Sequence, residues 1–205
     1  MNFVLPRLYP IADVSLFSGN DVFMQFVEEL VSGGISLLQY RDKLRTPREI
    51  LDQGYEIKRQ VGDSVRLIMN DRADFCVAAG FDGVHVGQED LSPDGAREVI
   101  GKQRWLGVST HNPEQLKAAD LTSADYLAIG PVFATSSKVN PDPVVGLDGV
   151  RVARALTRKP LVAIGGITVE NCQSVIEAGA DSVAVISDLL RDPRKTVRDF
   201  LAILG

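Results

Sequence analysis

Asp71 and Asp90 each stand just beyond a short apolar run, with Asn70 before the first and Gln88-Glu89 before the second. A pair of carboxylates is what Mg²⁺ accepts from a protein, since it keeps several waters and takes its remaining oxygens from substrate phosphates. Cations suited to such a ligand occur nearby. Arg41 and Lys43 follow another apolar run two residues apart, so an extended backbone points both the same way. Lys138 lies in the polar stretch after a later run. Together they can converge on one diphosphate. A second anion site reads from Gly165-Gly166 and from Ile186-Ser187, which end the last two apolar runs. Glycine lets backbone N–H groups approach an oxyanion, and a helix expected to begin near Thr168 would favour negative charge there. The competing reading of Gly-Gly is a tight turn alone, and each charged residue taken singly reads as solvated surface charge.

The elements that would position these residues form a rhythm. Eight apolar runs, at 8–12, 35–39, 67–70, 83–86, 105–109, 126–130, 161–165 and 182–187, are separated by stretches of helical periodicity. The runs are rich in Val, Ile, Leu and Ala with little alternation, as in a parallel sheet covered on both faces. Strand then helix, eight times, predicts a single (β/α)8 TIM barrel, here one domain over residues 1–205. In that fold the strand ends build the site, and the loops after strands seven and eight commonly hold phosphate. Asp21 is expected to cap a helix presenting Phe23, Phe26, Val27 and Leu30, with Gly33-Gly34 ending it. Thr46-Pro47-Arg48-Glu49, Ser92-Pro93, Asn112-Pro113 and Asp192-Pro193 read as further helix starts. Residues 134–146, which contain Pro and Ser, read as a closing lid.

Other residues are discounted for chemistry. His85 lies mid-strand and reads as barrel-interior packing; His111 lies near the mouth. Neither has a metal-ligand spacing. Ser109 has no partner base visible in the sequence, which disfavours a nucleophile and favours a ligand hydrogen bond. Lys138 lacks the apolar pocket that a Schiff-base lysine requires. Trp105 reads as core. Cys76 and Cys172 fall in expected helices and read as reduced thiols of a cytoplasmic protein. A net charge of −5 disfavours general nucleic-acid or anionic-membrane binding. No apolar run approaches the roughly 18–20 residues that span a bilayer, and the first residues do not read as a signal peptide. A homodimer is left open, with no interface legible.

Taken together, the runs Gln39-Tyr40-Arg41-Asp42-Lys43, Asn70-Asp71-Arg72, residues 83–90, Gly107-Val108-Ser109-Thr110-His111, residues 130–138, Ala163-Ile164-Gly165-Gly166-Ile167 and Ala184-Val185-Ile186-Ser187 resemble the thiamine phosphate synthase family, in its order and over almost the whole chain. The resemblance implies a transferase with two small phosphorylated substrates, a pyrimidine diphosphate and a thiazole monophosphate. It implies that Gln39, Tyr40, Arg41, Asp42, Lys43, Asn70, Ser109 and Lys138 bind the pyrimidine diphosphate. Arg41, Lys43, Lys138 and Ser109 would be the catalytic groups. Asp71 and Asp90 would hold Mg²⁺, and Thr135, Ser136, Ser137, Gly166, Ile186 and Ser187 would bind the thiazole phosphate. Where the family commonly has Thr before its lysine, this chain has Ser137. Rival readings are a thiazole tautomerase on the same scaffold, another phosphosugar isomerase or aldolase, and a non-catalytic sensor of thiamine precursors.

Overall fold

The computed structural model describes residues 4–135 and 142–205. Among these residues, eight parallel strands close into one barrel in sequence order, with β1 hydrogen-bonded to β8. The strands are β1 (Leu8–Asp13), β2 (Leu37–Arg41), β3 (Arg66–Asn70), β4 (Gly83–Val86), β5 (Trp105–Thr110), β6 (Tyr126–Ile129), β7 (Leu161–Ile164) and β8 (Ser182–Val185). The helices that follow them are α1 (Asn20–Gly33), α2 (Pro47–Val61), α3 (Ala73–Ala78), α4 (Pro93–Ile100), α5 (Pro113–Asp120), α6 (Gly146–Leu156), α7 (Cys172–Glu177) and α8 (Pro193–Leu204). The expected (β/α)8 barrel is what the chain forms.

Strand alternation divides the core in two. Leu8, Ala12, Leu38, Leu67, Met69, Leu127 and Ile129 pack outward against Phe23, Phe26, Val27 and Leu30 of α1 and their counterparts on the other helices. Tyr9, Ile11, Leu37, Ile68, Trp105, Tyr126, Ala128, Val162 and Ala184 fill the barrel itself. The inner set is small in number and includes three aromatic rings, and glycines make room for it. A Cβ on Gly83 would lie 2.7 Å from the Trp105 Cβ, and one on Gly107 would lie 2.1 Å from Cζ of Tyr126. No helix of the described residues is long and apolar enough to cross a membrane. Cys76 and Cys172 are free and buried.

The helix starts follow local chemistry. Thr46 and Glu49 form a reciprocal capping box, and Ser92, Asn112 and Asp192 each accept a backbone N–H of the first turn. Three expectations are corrected. α1 begins at Asn20 with Gly19 at the cap, so Asp21 sits inside the first turn, where its charge meets the helix dipole instead of capping. β2 lies two residues further along than 35–39, because Gln39 and Arg41 pair with Ile11 and Asp13 of β1. The seventh helix begins at Cys172, four residues after Thr168: Asn171 Oδ1 accepts the Thr168 N–H at 2.9 Å and its Nδ2 donates to the Gly166 carbonyl at 3.0 Å, which ties this stretch into a turn.

Candidate active site

Because the strands are parallel, their C-terminal ends share one rim, and a cavity of about 730 Å³ opens there. That volume lies in the roughly 300–1,000 Å³ range of small-molecule sites. Eleven of the residues expected from the sequence line it: Gln39, Arg41, Lys43, Asn70, Asp71, Asp90, Ser109, Thr135, Gly166, Ile186 and Ser187. They come from seven of the eight strand ends and the loops that follow, so only closure of the barrel brings them together.

The rim is charged and incompletely neutralised. Lys43 Nζ lies 2.8 Å from Asp71 Oδ2. Asp71 adopts φ of 62°, a left-handed conformation uncommon for any side chain other than glycine. Its backbone N–H donates to the His85 carbonyl at 2.7 Å, which fixes the turn that leaves β3. Asp90 Oδ2 accepts the Gly87 N–H at 2.7 Å. Burial, together with the adjacent Asp71 carboxylate, holds the Asp90 carboxyl above the usual carboxylate range. Arg41 is ion-paired with Asp13, a buried carboxylate at the end of β1. Asn70 Nδ2 is buried with no hydrogen-bond partner. A buried amide donor without an acceptor is destabilising by about 1–3 kcal/mol, and this one belongs to a residue that lines the cavity.

Below the rim the chemistry changes. Gln39 Nε2 donates to Tyr9 Oη at 2.9 Å, Tyr9 Oη lies 2.9 Å from Tyr126 Oη, and Tyr126 Oη lies 3.1 Å from His85 Nδ1. His85 Nε2 then lies 2.7 Å from Ser109 Oγ. Burial pushes the imidazole down to about 4, so the ring is neutral at pH 7. His85 is therefore in the barrel interior as expected, but Ser109, read from sequence as lacking a partner base, has one. No carboxylate backs that base; its other nitrogen meets a tyrosine.

Two expected ligand residues lie elsewhere. Tyr40 is buried on the helix side of β2, with its hydroxyl donating to Gln53 Oε1 at 2.9 Å. Asp42 accepts the backbone N–H groups of Leu44 and Arg45 at 3.0 and 3.2 Å and so shapes the loop. The strand period explains the correction: Gln39 and Arg41 face inward, so Tyr40 between them faces out. Gly165 and Gly166 have φ of 102° and 63°. A Cβ on Gly166 would lie 2.5 Å from the Ala134 carbonyl oxygen, so the turn reading of this pair holds independently of any phosphate. Ser136, Ser137 and Lys138, and with them most of the expected lid, lie outside the described residues.

Sequence reasoning missed Tyr9, Asp13, Gln88 and Tyr126. Gln88 Nε2 donates to the Ser109 carbonyl at 2.6 Å across the rim. Inward phase on β1 was the available signal for Tyr9 and Asp13, since both share the face of Ile11. Among the described residues no group of three or more His, Cys, Asp or Glu forms a metal cage. Asp71 and Asp90 alone, with hard oxygens beside an open cavity, fit an ion that takes its other ligands from water and substrate, as Mg²⁺ does.

The model of the thiamine monophosphate synthase family matches residues 8–189, nearly the whole barrel. The chain belongs to the thiamine monophosphate synthase family. Within the reach of that family, it is 61% identical to a thiamine-phosphate synthase of Koribacter versatilis over 203 residues, covering 98% of this chain and 96% of that protein. It is 41% identical to a thiamine-phosphate synthase of Chloroflexus aurantiacus over 184 residues, covering 88% and 83%. The structure of a thiamine phosphate pyrophosphorylase from Pyrococcus furiosus superimposes with a TM-score of 0.85 at 32% identity, covering 97% of this chain and 95% of that one.

Proposed function

We infer that this chain is a transferase that forms thiamine phosphate. Its substrates are 4-amino-2-methyl-5-(diphosphooxymethyl)pyrimidine and a thiazole monophosphate, and diphosphate is released. The near-full-length identity with the Koribacter synthase carries the reading. The Lys43–Asp71 contact beside Asp90 supports it, because a rim of that composition suits a leaving diphosphate. The tautomerase, aldolase and sensor readings receive no such support.

Arg41 and Lys43 bind the diphosphate and take up the charge that grows as its C–O bond breaks. Lys138 is assigned the same task from sequence. Asp71 and Asp90 hold Mg²⁺, which when bound supplies further charge neutralisation to the departing oxygens. Gln39, Asn70 and Ser109 fix the aminopyrimidine ring, whose electron-rich π system stabilises the cationic methylene carbon. Thr135, Ser136, Ser137, Gly166, Ile186 and Ser187 seat the thiazole phosphate so that the thiazole nitrogen donates its electron pair to that carbon. No side chain is needed as nucleophile, consistent with Ser109 being paired with an imidazole that no carboxylate backs. A cytoplasmic location belongs to the same proposal, supported by two free buried thiols.

Incubation of the protein with both substrates and Mg²⁺, or with EDTA in its place, tests the reading. Magnesium-dependent thiamine phosphate is expected. Absence of product, with the thiazole phosphate bound or tautomerised, refutes it.

A further inference from the structure

We propose that Tyr9, Tyr126 and His85 are positioning residues: they form a one-way hydrogen-bond chain that holds His85 as its Nε2–H tautomer and thereby makes Ser109 a hydrogen-bond donor to an acceptor atom of the substrate's heterocycle. The inference rests on the reading of Ser109 as a contact to the aminopyrimidine ring.

The direction of the chain follows from counting protons. Gln39 Nε2 can only donate, so Tyr9 Oη accepts from it. Tyr9 is fully buried, and among the described residues its hydroxyl meets Gln39 and Tyr126 and no other group. If Tyr126 donated to Tyr9, the Tyr9 proton would be buried without an acceptor, an arrangement that folded proteins avoid. Tyr9 therefore donates to Tyr126, and Tyr126 passes its own proton to His85 Nδ1. The imidazole, buried with a hydroxyl rather than a carboxylate at each nitrogen, then carries its single N–H on Nε2 and donates to Ser109 Oγ. Ser109 is left with a proton to give, and its side chain lines the cavity. A ring nitrogen of an aminopyrimidine is an acceptor of the required kind.

Five strands contribute to this chain: β2, β1, β6, β4 and β5 in the order of proton donation. The barrel keeps a clearance for it. A Cβ on Gly107 would lie 2.3 Å from Tyr126 Oη and 2.4 Å from His85 Nδ1, the two atoms of the central hydrogen bond.

The test reads the tautomer before it reads activity. His85 and His111 are the two histidines of the chain. A long-range ¹H–¹⁵N spectrum of the substrate-free protein near pH 7, assigned with a His111→Gln variant, reports which His85 nitrogen is protonated. Protonated Nε2 with bare Nδ1 is expected; protonated Nδ1 overturns the proposal. Tyr126→Phe removes the donor to Nδ1. It is expected to lose the single tautomer and to raise KM for the pyrimidine diphosphate about tenfold, the scale of one neutral hydrogen bond, with KM for the thiazole phosphate unchanged. Unchanged tautomer and KM in that variant overturn the proposal. Tyr9→Phe removes the proton that commits Tyr126 to donate and is expected to let the Nδ1–H tautomer appear beside the Nε2–H one; a single Nε2–H tautomer, as in the wild type, also overturns the proposal, and this variant decides should Tyr126→Phe fail to fold. Failure of the proposed function is separately visible. The wild-type protein would then make no thiamine phosphate whatever the tautomer, whereas product made by a protein with His85 protonated on Nδ1 refutes the chain alone.

Discussion

The floor of the barrel and its rim, a few ångströms apart, solve opposite problems. On the floor, Gln39, Tyr9, Tyr126, His85 and Ser109 satisfy one another within the protein. At the rim, Asp90 is held above its ordinary range, Asp71 sits in a left-handed conformation, and Asn70 keeps a buried donor unpaired. Apart from the Ser109 proton, the floor is satisfied without ligand, whereas the rim carries unsatisfied polarity. Stability is concentrated in the first region and reactivity in the second, as expected where a site is held in a conformation that its surroundings must impose.

Rim substitutions should damage catalysis and spare the fold, whereas floor substitutions should cost stability or, within the hydrogen-bond chain, binding of the pyrimidine diphosphate. The largest effect is expected for Asp71→Asn and Asp90→Asn. Each should lower kcat/KM by about a hundredfold or more in the presence of Mg²⁺, as loss of a charge that orders a transition state does. Melting temperature should stay near that of the wild type, and Mg²⁺ should raise it in the wild type but not in the double variant. A pH series sharpens the point. A carboxyl whose folded pKa lies above its unfolded value binds its proton more tightly when folded. Its contribution to stability therefore falls as pH rises from about 4, the ordinary Asp value, through the raised one, and stays at the lower level above it. Asp90→Asn should remove that decline from the unfolding free energy; an unchanged pH dependence would contradict a carboxyl raised by burial and by the neighbouring Asp71.

Next is Gly107→Ala on the floor. A methyl group 2.1 Å from Tyr126 Cζ has nowhere to go, and overpacking of this kind is destabilising by roughly 1–3 kcal/mol or more. Chemical denaturation should show it, and a wild-type midpoint would mean that the floor is soft. Lys43→Ala returns to the rim with a smaller loss, about ten- to thirtyfold in kcat/KM. The lysine side chain is 51% exposed, so its contribution to binding should weaken with added salt; a salt-independent difference between wild type and variant would argue against a charge role. The smallest effect belongs to neither region. Thr46→Ala removes one side of the α2 capping box, and should lower stability by about 1 kcal/mol while leaving both KM values unchanged.

The barrel was legible because its period is covalent in origin: apolar runs of strand length alternate with helical stretches, and caps such as Thr46, Ser92, Asn112 and Asp192 mark the starts. Asp71 and Asp90 were legible because an acidic residue just past an apolar run has nowhere to point in a barrel except its open end. Tyr40 and Asp42 were misplaced because a contiguous motif was read as a contiguous surface, while the strand period sends neighbours to opposite faces. The hydrogen-bonded pairing of the floor tyrosines was not legible. On a strand, Tyr reads as packing, and only closure of the sheet sets Tyr9 and Tyr126, 117 residues apart, oxygen to oxygen. The turn before α7 was missed because Asn171 bonds sideways to Thr168 and Gly166, a contact that no residue-by-residue propensity contains.

The left-handed backbone at Asp71 bears on how the site can be surveyed. A library covering every amino acid at this position would show intolerance, and the result would merge two demands, one on the carboxylate and one on the backbone. Asparagine and glycine both accept the conformation while lacking the charge. Alanine and glutamate each strain it, the first without a carboxylate and the second with one on a longer stem. Scored as two pairs, those four substitutions separate a conformational filter from a chemical one at a single codon.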